Sequence, residues 1–335
     1  MILVDEGQSP LILCLPHSGT DIPPAITKRL NATGRLQTDL SWRLEDVFNT
    51  RKDLGVTVIR STISRYAIDL DKDPETPLSE AMDPTVALCP ATTLDGKNLY
   101  QDEEEPGSTE IEQRMLLFHV PFHRALRQQI ERVSRLHDKV IILDCQSMRS
   151  HIRGVTDKGL PLVSIGSFDG TSCDPDLRNL LVGSFTGQKG FTVEVDDKAK
   201  GGFITQSYGR PDRNLHAMTL LFAQRAYLRH ESPPFEPDKT RVRRLRTIME
   251  DSLSRLIDWA GMPPAGALSG EDNSLFQEQD SDAVADASDT TLEDQLVETS
   301  SGSVTPLTEA SLPDAGASEI GKVEDGPVKP LLIAE

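Results

Sequence analysis

The sequence predicts an α/β fold built on a largely parallel or mixed sheet. Short apolar runs alternate along the chain with longer segments of helical periodicity, as strands and helices do in α/β domains. Val140–Leu143 is an uninterrupted apolar run and predicts a buried parallel strand. Leu11–Leu15 and the β-branched Val56–Arg60 predict two more strands, and Ile111–Leu136 predicts a long helix with a kink at Pro121.

The remaining elements follow from the same patterns. Glu75–Glu105 is Pro-rich and irregular, a long loop of the kind that often covers an active site. Gly201 and Gly202 open a glycine-hinged loop that continues as extended chain at 203–205. The other predicted elements are a helix at Trp42–Leu54, strands at Tyr66–Leu70, Leu162–Ile165 and Phe191–Val195, a helix that begins at Leu177–Leu181, a buried strand or helix at His216–Tyr227, and a helix from Arg241 to Ile257.

Composition divides the chain into a folded domain at 1–262 and an acidic tail at 263–335. The 335 residues carry a net charge of −18, and Gly266–Glu335 alone holds 16 acidic residues and 2 lysines. Phe276 is the one aromatic residue of that stretch. Such a segment cannot bury enough apolar surface to offset its chain entropy, so the tail is predicted to be disordered. A solvated tail is the usual outcome, and docking on a basic protein partner is the alternative.

The charge and hydropathy of the chain exclude several classes of function. The negative balance argues against nucleic acid as the main ligand, because phosphate neutralisation requires clustered lysines and arginines. No apolar run approaches the roughly 18 residues of a membrane span. The N-terminus lacks the pattern of a signal peptide, and the four cysteines have no metal-binding spacing. We therefore expect a cytoplasmic protein with free thiols.

The end of the predicted strand at Val140–Leu143 is the most informative position in the chain. Asp144, Gln146, Ser147 and Arg149 follow this strand directly. In open α/β sheets, ligands bind in the crevice beyond the carboxyl ends of the strands. The sequence therefore predicts a ligand site at this edge, built in part from these four side chains.

Several motifs together resemble the N-formylglutamate amidohydrolase (N-formylglutamate deformylase) family of the zinc-exopeptidase superfamily. The resemblance runs from about Gly7 to Arg229, and its most specific stretches are PHSGTDIPP (16–24), STISRYAIDLDKDP (61–74), LCPATTLDG (88–96), LDCQSMRS (143–150) and GGFITQSYGRP (201–211). The resemblance implies a three-layer α/β/α domain and zinc-dependent hydrolysis of a formyl amide. In that reaction formylglutamate yields glutamate and formate.

The positions that the resemblance assigns to catalysis are substituted in this chain. By analogy, the metal ligands would come from the PHSG turn, an acidic segment and the end of the central strand. His17 and Asp39 remain as candidate ligands for zinc, whereas Gln146 stands where the family has a histidine. An amide oxygen is a weaker zinc donor than imidazole. Leu221 stands where a glutamate would act as general base, and leucine cannot take a proton. No catalytic position is therefore intact.

The positions that shape the cleft and contact the substrate match the family better. Arg65 and Arg149 each follow an apolar segment in a family motif, and bidentate binding of a carboxylate is weighed there against a structural salt bridge. Buried aspartates at 39, 69, 71 and 144 are candidate partners of these arginines. The candidate substrate-binding residues are Arg65, Arg149, Ser147, Gly202, Thr205 and Tyr208.

Three functional interpretations stay open at this point. The chain is an amidohydrolase by descent, acting on N-formyl or N-acyl amino acids with a degenerate zinc site. Alternatively, it is a non-catalytic protein that binds an acyl amino acid or dicarboxylate, or that regulates an active paralogue. In the third interpretation it is an interaction protein that acts through its acidic tail.

Overall fold

A seven-stranded mixed sheet forms the centre of the molecule. The computed structural model describes residues 1–48, 54–75, 83 and 86–261. The strands are β1 (Ile2–Asp5), β2 (Leu11–Leu15), β3 (Thr57–Ser61), β4 (Val140–Met148), β5 (Val163–Gly166), β6 (Val193–Val195) and β7 (Leu215–Ala223). Their spatial order is β1-β3-β2-β4-β7-β5-β6. The pairs β1–β3 and β5–β7 are antiparallel and the other four pairs are parallel, which confirms the predicted sheet.

Helices cover both faces of the sheet, so the domain has three layers. The α-helices are α1 (Pro24–Thr27), α2 (Ala32–Leu36), α3 (Ser108–Arg114), α4 (Val120–Ser134), α5 (Pro175–Thr186), α6 (Phe203–Tyr208) and α7 (Lys239–Gly261). Alternate side chains of a strand point to opposite faces. Leu11 and Leu13 of β2 accordingly pack with α5 and α7, while Ile12 packs with α4. The described residues belong to one compact unit, and the predicted tail lies outside them.

The long helix predicted around Pro121 is confirmed, with a wide turn at its centre. A π-helical turn, Met115–His119, connects α3 to α4 immediately before Val120 and Pro121. Proline has no N–H to donate, so the regular hydrogen-bond ladder cannot pass through it unchanged. The turn directs His119 to the carbonyl of Lys72 at 3.0 Å, and His123 lies 2.8 Å from the carbonyl of Leu70. These contacts fix the segment that carries Asp71.

Three local predictions were wrong. Tyr66–Leu70 is buried but forms turns rather than a strand, because its amides are satisfied locally and by Leu88, as in the 2.7 Å bond from Asp69. The helix predicted at Trp42–Leu54 is a 3-10 turn at Leu44–Asp46, preceded by Arg43 at a positive φ of 59°. Residues 49–53 of that prediction lie outside the described residues.

The third correction concerns the chain after Gly202, where residues 203–205 begin helix α6 rather than extended chain. The N-terminus of this helix is hydrogen-bonded to a carboxylate that lies far away in the sequence. The amide of Ile204 donates to Oδ1 of Asp71 at 2.8 Å, and the amide of Phe203 donates to the Asp71 carbonyl at 3.2 Å. A carboxylate at a helix N-terminus satisfies amides that have no partner within the helix.

Candidate functional site

A cleft of about 240 Å³ lies at the carboxyl ends of the central strands, where the sequence predicts the ligand site. Loops after β2, β3 and β6 complete its walls. Five of the sequence-predicted positions line it: His17, Arg65, Gln146, Gly202 and Leu221. Ser147, Arg149, Asp39, Thr205 and Tyr208 are not among the lining residues and lie behind or beside the cleft.

The length of β4 explains which polar side chains face the cleft. The strand continues to Met148, beyond the predicted apolar run, because it pairs with β7 as far as Ala223. Asp144 and Gln146 therefore point to one face, and Cys145 and Ser147 point to the other. Ser147 is buried and bonds the hydroxyl of Tyr227 at 2.6 Å.

Asp69 lies between His17 and Arg65 in the cleft wall. Its Oδ1 is 2.6 Å from Nε2 of His17, and its Oδ2 accepts a 2.6 Å bond from Arg65. Burial alone would raise the pKa of this carboxyl, but His17 and Arg65 outweigh it and hold the pKa well below its usual range. The pair with Arg65 confirms one of the predicted aspartate–arginine contacts.

The amide of Gln146 joins two buried carboxylates. Its Nε2 donates to Oδ2 of Asp71 at 2.7 Å and to Oδ2 of Asp144 at 2.5 Å, so both amide hydrogens are used. Burial raises the pKa of Asp71; burial and the charge of Asp71 raise the pKa of Asp144 well above its usual range. Among the described residues, Arg65 and Arg149 form salt bridges with Asp69, Asp39 and Asp95 but not with Asp71 or Asp144, so that part of the prediction was wrong.

Hydroxyl groups extend this network into helix α6. Thr219 of β7 donates to Oδ2 of Asp144 at 3.1 Å, and its hydroxyl lies 2.8 Å from that of Thr205. Tyr208 at the end of α6 bonds Nδ1 of His123 at 3.0 Å. Of the predicted contact residues, Thr205 thus holds α6 against the sheet and Tyr208 holds it against α4.

A second polar cluster surrounds Asp39 beside the cleft. Its Oδ1 accepts from Arg149 at 2.8 Å. Its Oδ2 accepts from the hydroxyl of Tyr66 at 2.8 Å and from the amide of Leu94 at 2.9 Å. Arg149 also reaches Asp95 at 3.2 Å. The pair of Asp39 with Arg149 is the predicted structural salt bridge, and it ties loops together at the cleft rim.

The side chains present at this position do not fit a zinc ion. Within residues 1–48, 54–75, 83 and 86–261, no group of three or more His, Cys, Asp or Glu side chains is placed to hold a metal. One nitrogen of His17 is engaged by Asp69, and both oxygens of Asp39 are occupied by donors. Gln146 presents its NH₂ group to two carboxylates, and an amide hydrogen cannot ligate a metal.

Gly202 lies so close to Asp71 that its position has no room for a side chain. A Cβ atom added to Gly202 would lie 1.8 Å from Oδ2 of Asp71. We expect Gly202→Ala to lower the free energy of unfolding by about 1–3 kcal/mol, because Asp71 or α6 must move. Gly183→Ala is the matched control: Gly183 lies inside α5, and a Cβ atom added there would have nothing beyond its own stretch of helix within 4 Å, so this variant should be more stable by up to about 1 kcal/mol. Urea unfolding of both variants checks this, and equal stability of the two would contradict it.

The sequence did not point to several residues that line the cleft. Lys72, Lys198, Lys200 and Thr219 are among these lining residues, and Asp71, predicted only as a partner of an arginine, lines the cleft as well. The signal available was weak, since the lysines stand in the quoted motif STISRYAIDLDKDP and in the segment before Gly201 and Gly202.

No helix among the described residues is long and apolar enough to cross a membrane.

Comparison with known proteins identifies the family. Residues 9–228 match the model of the N-formylglutamate amidohydrolase family. The chain is 30% identical over 255 residues to the N-formylglutamate deformylase of Pseudomonas putida, covering 76% of this chain and 94% of the relative. The deformylase of Pseudomonas aeruginosa gives the same identity over 76% of this chain and 95% of the relative.

Solved structures show the same fold. The crystal structure of N-formylglutamate amidohydrolase from Ralstonia eutropha JMP134 is similar with a TM-score of 0.65 and 22% identity, over 77% of this chain and 97% of that chain. A gene product of Agrobacterium tumefaciens gives a TM-score of 0.61 at 14% identity, over 77% of this chain and 95% of that chain. By its match over residues 9–228 and its likeness to these relatives, the chain belongs to the N-formylglutamate amidohydrolase family.

Proposed function

We propose that this family member binds an N-acyl amino acid in its cleft and does not hydrolyse it through a zinc ion. The observation that carries the proposal is the position of Gln146. Its amide bridges Asp71 and Asp144 where the resemblance places a metal ligand. Leu221, at the position of the general base, pairs in register with Gln146 and has no group that could accept a proton.

The binding half of the proposal is supported by the cationic groups of the cleft. Arg65 and the three lysines favour a ligand that carries a carboxylate, and the relatives are named for an N-acyl amino acid. Hydrolysis needs a Lewis acid or an equivalent, together with a base that activates water. The chain keeps the groups that would bind and orient the ligand, whereas those that would activate water are replaced.

Hydrolysis of N-acyl amino acids is the second candidate. It is favoured by similarity that covers 94% of the Pseudomonas putida deformylase. It would require a base other than residue 221, and Asp71 is the carboxylate that lines the cleft. Asp71 already accepts a hydrogen bond from Gln146 on Oδ2 and one from the amide of Ile204 on Oδ1, so fewer of its lone pairs are left to orient a nucleophilic water.

One experiment separates the two candidates. The full chain is incubated with millimolar N-formylglutamate or N-acetylglutamate, and both the unfolding temperature and the released glutamate are measured. The proposal predicts a raised unfolding temperature, because a ligand bound only by the folded state stabilises it by mass action. It also predicts no glutamate above the level without protein. Glutamate release near ordinary enzymatic rates, on the order of 1–1000 s⁻¹, would contradict it. The tail interpretation lies outside the described residues and stays a hypothesis.

A further inference from the structure

We propose that the ligand of this cleft is an amphipathic carboxylate, an N-acyl amino acid whose acyl group is an apolar chain rather than a formyl group. The inference rests on the proposed function and names the ligand class of that same site. It is carried by two adjoining surfaces of the cleft, one apolar and one cationic.

The apolar surface consists of side chains that can pack against a ligand but cannot take part in a reaction. Leu221 of β7 contacts an apolar cluster to which Met148 and Ala199 also belong, and all three side chains line the cleft. Leu94 and Val155 extend this wall, since they line both the cleft and a neighbouring hollow of about 510 Å³. Five apolar residues, Leu221, Met148, Ala199, Leu94 and Val155, therefore line the cleft.

The cationic surface lies directly beside this wall. Lys198 and Lys200 flank Ala199 in the chain, and Lys72 follows Asp71. In the part of the chain that the structure describes, neither Lys72 nor Lys198 forms a salt bridge. Lys200 contacts Asp169 at 3.1 Å, but both side chains are more than half exposed, so this pair contributes little and can be exchanged for a ligand.

Arg65 adds a donor that the protein leaves without an acceptor. Its side chain is buried in the cleft wall and bonds Asp69, yet its Nε has no hydrogen-bond partner among the described residues. A buried donor without a partner carries the cost of its lost hydration. Because Arg65 lines the cleft, its charge attracts a ligand carboxylate, although the enclosed Nε itself is out of reach of the ligand.

The two surfaces together favour a ligand with a longer acyl group over N-formylglutamate, which should bind more weakly. Its formyl group is a single carbon and covers none of the apolar wall. A single carboxylate at the lysines with an alkyl chain along Leu221, Met148 and Leu94 satisfies both surfaces.

Calorimetric titration of the full chain tests the inference with N-acetyl-, N-hexanoyl- and N-octanoylglycine, N-octanoylglycine methyl ester and N-formylglutamate. We expect the dissociation constant to fall about fourfold per added methylene until the wall is covered. The methyl ester should bind at least about tenfold more weakly than the free acid, because it loses a charge-assisted contact.

Two substitutions measure separately how much the apolar surface and the cationic surface contribute to binding. Leu221→Gln should weaken N-octanoylglycine by about tenfold or more and leave N-acetylglycine nearly unchanged. Lys198→Ala should weaken both acids by the same factor, and Lys158→Ala, an exposed lysine outside the cleft lining, should weaken neither. Unfolding temperatures within a few degrees of that of the unmodified chain show that each variant is folded.

The outcomes separate this inference from the proposed function. Binding that does not tighten with chain length, or an ester that binds as well as the acid, overturns the inference and leaves the proposed function standing if formylglutamate still binds. Release of glycine or glutamate overturns the claim of non-hydrolytic binding. The inference is then decided by the dependence of the dissociation constant on chain length alone. Absence of binding by every probe overturns both.

Discussion

Replacement of Asp69 by alanine is expected to lower the free energy of unfolding by about 3–5 kcal/mol at pH 7. Asp69 is fully buried and bonds both His17 and Arg65 at 2.6 Å. Its removal leaves the Arg65 guanidinium buried without its counter-ion. The pKa of Asp69 is depressed in the folded state, so its contribution is present above the unfolded pKa and is lost as the pH falls below about 4.

Urea unfolding at pH 7 measures this effect against a matched salt bridge. Arg255 and Asp251 also pair four residues apart, at 3.0 Å, but both side chains are more than half exposed. Asp251→Ala should therefore cost less than about 1 kcal/mol. Equal costs for Asp69→Ala and Asp251→Ala would show that the buried pair does not hold the cleft wall.

Gln146→Glu is expected to destabilise the protein by about 3 kcal/mol at pH 8. The substitution preserves shape but replaces the NH₂ group that bonds Asp71 and Asp144 with an oxygen. Three carboxyl groups then share one buried site and cannot all be ionised. The folded variant must hold an extra proton, so the pKa of Glu at this position is raised on folding.

The sign of the pH dependence follows from that proton. A carboxyl whose pKa rises on folding costs stability as the pH rises above its unfolded value, so the deficit should shrink on going from pH 8 to pH 5. The change is at most about 1.4 kcal/mol per pH unit for one proton. Gln206→Glu, at an exposed position of α6, is the control and should show no such dependence. A deficit at residue 146 that is independent of pH would contradict the account.

The position of the cleft was predictable from local sequence, and the substitution at Gln146 was predictable from the resemblance to the family. The apolar run of β4 ends in Asp144 and Gln146, and such a strand end marks the ligand crevice of an α/β sheet. The partners of Gln146 were not predictable, because Asp71 lies 75 residues away in the sequence. Asp71 also lies in a turn, next to an apolar segment whose sequence resembles that of a strand. Local propensity carries no information on such a contact.

The start of α6 was likewise not predictable from local sequence. Phe203–Thr205 has β-branched and aromatic residues that favour extended chain, but the N-terminus of the helix is satisfied by Asp71, 133 residues away. The lysines of the cleft rim were also missed, since a lysine becomes part of a site only through the loop that carries it. The physical reason in each case is a tertiary contact that overrides the local preference.

Zinc content is the measurement that tests the central claim most directly. The purified full chain is incubated with zinc, freed of excess metal and analysed for zinc per chain, alongside a His17→Ala variant. We expect no stoichiometric zinc in either protein, because Gln146 and Asp39 are bonded to other partners and His17 is bonded to Asp69. About one tightly held zinc per chain that disappears in His17→Ala would contradict it.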